Sequence, residues 1–253
     1  MTNFTSFFLR PTMNESLRGI VLHTVKYNEK NAVVRVYTDA HGIMSFLLPQ
    51  SAGKVARMRR ALFRELSLLE ITTAITPNRD IFRIIDARVS EPLPMLYTNP
   101  VKNAIALFLT ELLSRVIVEQ EPNAPLFSYI WSAIKLLDAL DDGIANFHIC
   151  FLWNLGVFLG IEPDASTYSK GYAFDMVNGV FIHGLPAHSH FVTGDEAEEV
   201  YRLSRITFEN MHHYRFSRAQ RNRVLELSLE YLSIHNSSLG NLRSPEILRA
   251  LFD

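Results

Sequence analysis

Over residues 17–89 the apolar positions come in short runs parted by turn formers. Ile20, Val21, Leu22 and Val25 make the first run, residues 32–37 the second and residues 43–48 the third. Asn28-Glu29-Lys30-Asn31 and Asp39-Ala40-His41-Gly42 stand between them, and residues 49–53 close the series. This spacing predicts two hairpins of short strands. Residues 62–76, rich in Leu, Ile and Thr, and residues 81–89, parted by Pro77-Asn78-Arg79-Asp80, bring the total to about five strands. Five antiparallel strands leave exposed edges unless the sheet closes, so the pattern predicts a small barrel of the OB type over residues 16–90.

Past Pro92 and Pro94 the period changes from two to that of a helix. Asn99-Pro100 sets a capping residue before a proline at the first helical position, and Ala104, Leu107, Phe108, Leu112 and Val116 follow at spacings of three and four. Further helices are predicted over 126–140, 145–159, 193–212, 217–235 and 244–252. The one at 145–159 is apolar almost all round, which marks it as the centre of a bundle. Residues 164–193 lose the helical period and form a small irregular insert, with Phe174, Val180-Phe181-Ile182 and Phe191 as anchors for short strands. The fold class is α+β: a five-stranded barrel, then a helical domain over 91–253 that carries the insert. Residues 1–15 are expected to be a flexible extension, with Met13 as an alternative start.

Composition adds exclusions. The chain has 253 residues, 48% of them hydrophobic and 20% charged, with one Cys, which fits a globular core and removes disorder over most of the length. Cys150 lies in an apolar run, has no partner for an internal disulfide and reads as a buried thiol in a reducing compartment. No run of about 18 apolar residues is uninterrupted, so no membrane span is expected. A cytoplasmic protein is expected.

Charge divides the chain more sharply than the net value of -1 suggests. Residues 1–90 hold 13 Lys and Arg against 7 Asp and Glu, whereas residues 91–199 hold 4 against 14. Residues 200–253 turn basic again, with 8 against 5. The densest patch is Lys54, Arg57, Arg59, Arg60 and Arg64, with no carboxylate among them. Such a patch is a polyanion-binding loop or a solvated basic face with no partner. Arg35, Arg79 and Arg83 add cations to the β-rich part, and Tyr37 and Phe46 are rings of the type that stacks on bases or fills a barrel core. Arg202, Arg205, Arg215, Arg218, Arg221 and Arg223 either extend a basic surface or are the solvated faces of two helices.

Catalytic signatures are weak. Gly53-Lys54 lacks the earlier Gly and the following Ser or Thr of a phosphate loop, and Leu48 and Val55 occupy those positions. No Gly-x-Gly-x-x-Gly and no nucleophile elbow occurs. Asp175 with His183, His188 and His190 is the best enzyme-like cluster, open to a metal-dependent hydrolase or to polar loop histidines.

The order of parts resembles the bacterial recombination mediator family RecO, above all its Bacteroidetes forms. The resemblance is carried by Arg18-Gly19-Ile20-Val21-Leu22, Tyr37-Thr38 with Gly42, Glu111-Leu112-Leu113-Ser114-Arg115 and Phe158-Leu159-Gly160-Ile161-Glu162-Pro163. Phe174-Asp175 with Gly179 and Phe181, and Leu242-Arg243-Ser244 with Leu248 and Leu251-Phe252, complete it. The resemblance covers about residue 16 to the end. It implies a non-enzymatic DNA repair protein, nucleoid-associated, that binds single- and double-stranded DNA and anneals complementary strands. It also implies binding to the acidic tail of single-stranded-DNA-binding protein, and work with RecR to load RecA. The family's DNA contacts fall on the barrel, which transfers to Lys54, Arg57, Arg59, Arg60 and Arg64. Its tail-binding helix transfers to Phe147, His148, Phe151 and Leu152. Some members hold zinc in the insert through paired Cys-x-x-Cys; this chain has no cysteine there, so no metal and no cofactor are expected and aromatic packing takes the metal's place. A different class remains open: an adaptor whose basic patch meets an acidic peptide tail, with little affinity for DNA.

Overall fold

The computed structural model describes residues 13–76, 78–239 and 242–251. The chain divides into two compact units, one running to Pro92 and including Glu119–Pro122, the other made of Leu93–Val118 and the chain from Asn123 onward.

The first unit is a closed five-stranded barrel. Its strands are β1 (Met13–Lys26), β2 (Asn31–Thr38), β3 (Gly42–Pro49), β4 (Leu68–Ile75) and β5 (Ile81–Glu91), in the order β1-β2-β3-β5-β4. Only the β3–β5 pair is parallel. Closure rests on the length of β1: its first half, Met13 to Ile20, pairs with β4, and its second half, Gly19 to Lys26, pairs with β2, with a bulge between Val21 and His23. Leu17, Val21, Val34, Val36, Met44, Phe46, Leu48, Leu69 and Ile71 fill the interior. The extension expected over residues 1–15 is shorter, because Met13, Asn14 and Glu15 stand opposite Ile75, Ala74 and Thr73. Residues 1–12 lie outside the described residues.

The basic stretch after β3 is a helix, α1 (Lys54–Leu62), and not the loop that the turn formers before it imply. Lys, Ala, Arg, Met and Leu are strong helix formers. What conceals the helix in the sequence is its short apolar stripe, since Leu62 and the adjoining Phe63 carry its contact with the barrel core.

Gly42 at the β2–β3 turn has φ 59°, and a Cβ there would lie 2.6 Å from the Glu121 carbonyl oxygen and 2.7 Å from that of Glu119. The Ile43 amide donates to the Glu119 carbonyl at 3.1 Å, so backbone meets backbone at this point. Gly42→Ala is therefore expected to cost about 2 kcal/mol of barrel stability, from the left-handed φ and the overpacking together, and urea unfolding checks it.

The second unit holds α2 (Pro94–Thr98), α3 (Pro100–Val116), α4 (Ala124–Ala139), α5 (Phe147–Phe158), α6 (Gly194–Leu203), α7 (Arg218–His235) and α8 (Ser244–Leu251). Asn99 caps α3, accepting from the amides of Val101 and Lys102, and Ser217 with Gln220 forms a capping box on α7. Helix α5 is the centre, with nine of its residues buried. The helix expected over 193–212 stops at Leu203 instead. Asn210 accepts from the Thr207 amide at 2.8 Å and donates to the Arg205 carbonyl at 2.9 Å, a local exchange that competes with helical hydrogen bonds. Among the described residues no helix is long and apolar enough to cross a membrane.

The insert carries a three-stranded sheet, β7-β6-β8, built from β6 (Ala173–Asp175), β7 (Val180–Ile182) and β8 (Phe191–Val192). Phe174 packs on Phe181 at 4.9 Å and on Tyr231 of α7 at 5.4 Å, and Tyr168 meets Phe181 edge-on. Asp175, only 3% exposed, ties the turn: its carboxylate accepts from the amides of Val177 and Asn178 and from Asn178 Nδ2.

Candidate nucleic-acid interface

The barrel's outward face is set by strand register. On β2, Val34 and Val36 point into the core, so Val33, Arg35 and Tyr37 point outward. Register then builds three rows. Tyr37 stands beside Ile43; next come His23, Arg35, Ser45 and Ile81; then Val25, Val33, Leu47 and Arg83. Glu119 lies close to Tyr37, which is fully buried, and the Tyr37 hydroxyl is pushed up to about 12 by burial and by the nearby Glu119 carboxylate. The two lower rows are an apolar strip of Val25, Val33 and Leu47 flanked by Arg35 and Arg83.

The ends of these rows are also basic. The β1–β2 turn carries Lys26 and Lys30, and the Lys30 carbonyl accepts from the Gln50 amide at 2.7 Å, which brings this turn to the segment leading into α1. Helix α1 presents Lys54 and Arg57 to solvent. Arg59 reaches the Ile84 carbonyl of β5 at 3.5 Å, and Arg60, half-buried, donates to the Ser51 carbonyl at 2.8 Å. Arg79 sits on the β4–β5 turn beside Ile81, and Arg64 on the turn from α1 into β4.

Pairing separates these cations from the others of the barrel. Arg18 is bound by Asp39 at 3.0 Å and Arg88 by Glu70 at 2.7 Å, and the Arg88 hydrogen bond holds the Glu70 carboxyl below its usual range. Among the described residues, Lys26, Lys30, Arg35, Lys54, Arg57, Arg59, Arg60, Arg79 and Arg83 have no carboxylate within ion-pair distance. The positive field is therefore left uncompensated along one path: the β4–β5 turn, the outward rows, the β1–β2 turn and α1.

Some residues singled out from sequence fall elsewhere. Phe46 is core and Tyr37 is buried, so neither ring is open to a ligand. Phe147, His148, Phe151 and Leu152 are all buried in α5, because an all-apolar helix occupies the centre of its unit. The His148 imidazole is pushed down to about 3 by burial and by Arg221. These four side chains therefore cannot form a partner-facing surface in this structure, and the exposed apolar residues of α5 are Val157 and Phe158 at its end. The cluster at Asp175 does not converge. His188 Nε2 is 3.2 Å from Asp175, but His190 faces Glu230 and His183 packs against Tyr172. Among the described residues no three His, Cys, Asp or Glu side chains could hold a metal ion.

His23, Lys26, Lys30 and Tyr27 belong to the face but were not among the residues expected from sequence. Positions 23 and 25 alternate along β1 in phase with 35 and 33 on β2, a period of two that finds His23, while Lys26, Tyr27 and Lys30 adjoin the face at the β1–β2 turn.

Two family descriptions match this chain: recombination protein O, N terminal, over residues 13–93, and recombination protein O, C terminal, over residues 97–243. The DNA repair protein RecO of Bacteroides fragilis strain YCH46 is 39% identical over 236 residues, covering 93% of this chain and 98% of that protein. The proteins of the same name from Phocaeicola vulgatus and Porphyromonas gingivalis strain W83 are 36% and 34% identical, covering 92% and 93% of this chain and 97% and 98% of theirs.

Proposed function

The chain belongs to the RecO family of DNA repair proteins, and on that premise we propose that it is a recombination mediator without catalytic machinery. It binds single- and double-stranded DNA along the outward barrel face and α1, anneals complementary strands, and with RecR helps load RecA onto strands coated by single-stranded-DNA-binding protein. The observation that supports this reading is the segregation of unpaired cations onto one face while Arg18 and Arg88 are neutralised. Arginine and lysine exchange places with the counterions condensed on phosphates, and the released ions drive binding. Two strands neutralised on one surface no longer repel each other, which is the physical basis of annealing. The excess of acidic residues over 91–199 argues against DNA on that part of the chain and for protein partners there, the acidic tail of single-stranded-DNA-binding protein and RecR. The tail's seat then involves residues other than the four buried in α5.

Fluorescence-detected annealing of complementary oligonucleotides, bare and coated by single-stranded-DNA-binding protein, over a range of salt, tests the reading. Salt-sensitive acceleration that survives coating is expected. Binding to the coated strands without acceleration would replace the mediator with an adaptor.

His23 gives the same face a pH dependence. Burial and the adjacent Arg35 hold its imidazole below the usual range in the free protein, so it is neutral at pH 7. Phosphates brought beside it favour the charged form, so DNA affinity is expected to rise as pH falls from 7.5 toward 5.5. The rise should shrink in His23→Gln, as anisotropy titrations at several pH values would show.

A further inference from the structure

Tyr27 is the most exposed ring on the barrel, 60% open to solvent, beside Val25 at 49%. Among the described residues its hydroxyl makes no hydrogen bond and its ring meets no other ring or cation. Its backbone is nevertheless fixed. The Tyr27 and Asn28 amides both donate to the Asn31 carbonyl at 3.0 Å, and Asn28 Oδ1 accepts from the amides of Lys30 and Asn31 at 2.9 and 2.8 Å. A side-chain-braced turn of this kind fixes where the Tyr27 side chain leaves the backbone without covering the ring. The flanking charges are Lys26 and Lys30, with Glu29 at the tip of the turn.

An exposed aromatic ring on a fixed backbone between two lysines, next to an apolar strip and upstream of Arg35 and Arg83, has the parts needed to hold an unpaired base. The lysines take the flanking phosphates, and the ring takes a π-face that a duplex keeps hidden within its own stack. We propose that Tyr27 is the stacking platform for an unpaired base, so that the barrel face prefers single strands to duplex through base contact and not through charge alone. The proposal rests on the DNA reading of the face given above and deepens it by naming the form of DNA that the face selects. Val25 and Leu47 offer apolar surface against which a neighbouring base can pack.

The test compares three fluorescent ligands of equal phosphate number in the full chain: oligo-dT, the same backbone with abasic sites in place of bases, and a duplex. The wild-type protein is expected to bind oligo-dT about tenfold more tightly than the abasic strand, the gain typical of a stacked base. Tyr27→Ala should lose that preference while binding the abasic strand as before, and Tyr27→Phe, which keeps the ring and drops the hydroxyl, should retain it. If Tyr27→Ala binds oligo-dT as tightly as wild type, or weakens on both strands equally with a normal melting curve, Tyr27 is not a stacking platform. A wild-type protein that binds oligo-dT and the abasic strand equally overturns base contact but leaves the phosphate reading intact, whereas one that binds none of the ligands overturns both.

Discussion

Replacing Arg35, Arg57 and Arg83 together by alanine is expected to flatten the dependence of log affinity on log salt by about two units on single-stranded DNA, since each phosphate neutralised contributes about -0.7 to that slope. If the wild-type and variant lines converge near 1 M salt, the same loss amounts to roughly 50-fold weaker binding at 0.15 M. These three are chosen by what they do in the fold. Arg35 and Arg83 flank the apolar strip on the outward rows, Arg57 lies on the open side of α1, and none of them has an ion-pair partner among the described residues. Arg60 has the wrong geometry for this purpose, because its guanidinium braces the Ser51 carbonyl and its loss would disturb the loop before α1. Arg88→Ala serves as the control, since Glu70 already neutralises it and its removal should leave the slope unchanged. A slope as steep in the triple variant as in the control would remove the outward rows and α1 from the binding surface.

The difference between Arg35 and Arg88 also shows where sequence reading stops. Both are arginines in alternating strands of a basic segment, and nothing in their local sequence separates them. The distinction comes from register: Arg88 stands opposite Glu70 across β4–β5, whereas Arg35 stands opposite His23 and Ser45. Pairing across a sheet is a non-local property, so composition shows the cations and only the fold shows which remain uncompensated. Tyr27 is a parallel case. The turn Asn28-Glu29-Lys30-Asn31 is plain from its residue types, but the ring just ahead of it looks like any strand-end tyrosine until the fold leaves it exposed to solvent. Tyr37 is the converse case. It points outward by register and is closed off by the Glu119–Pro122 segment, some 80 residues later in the chain, which no local pattern announces.

The elements themselves were far more legible than their contacts. Period-two runs bounded by Asn, Asp and Gly place β1, β2 and β3, and the Asn99-Pro100 and Ser217 caps place the starts of α3 and α7 within a residue. Helix α1 escapes a reading by pattern because nine residues are too short a window for the helical period to register. Helix α5 is central, as its all-apolar sequence predicts, and that centrality buries Phe147, His148, Phe151 and Leu152.

Glu111→Ala is expected to release α8 and lower the stability of the helical unit by about 3 to 4 kcal/mol, a drop of roughly 10 °C in its melting temperature. Glu111 projects from α3 to the start of α8, where its carboxylate accepts from the amides of Arg243 and Ser244 at 3.0 and 2.8 Å and from the Ser244 hydroxyl, with Arg115 one turn along α3 at 3.5 Å. It acts as a capping residue supplied from 132 positions earlier, satisfying orphan amides and meeting the positive end of the helix dipole. Glu111-Leu112-Leu113-Ser114-Arg115 and Leu242-Arg243-Ser244 thus each supply half of one joint. Burial by itself would raise the Glu111 carboxyl, but hydrogen bonds from the Ser244 hydroxyl and the two amides, with Arg115 beside them, outweigh it and hold the group below its ordinary value. The stabilisation is then fully present above the unfolded carboxylate value near 4.5 and is lost as pH falls through the lower folded value. Circular-dichroism melts of wild type, Glu111→Ala and Glu111→Gln from pH 7 to pH 3 test this. Both variants should be less stable at pH 7, Glu111→Gln by the smaller amount because its amide oxygen still accepts from one amide, and the gap to wild type should narrow toward pH 3. A gap that stays constant over that range would mean that Glu111 holds α8 by shape and not by its charge.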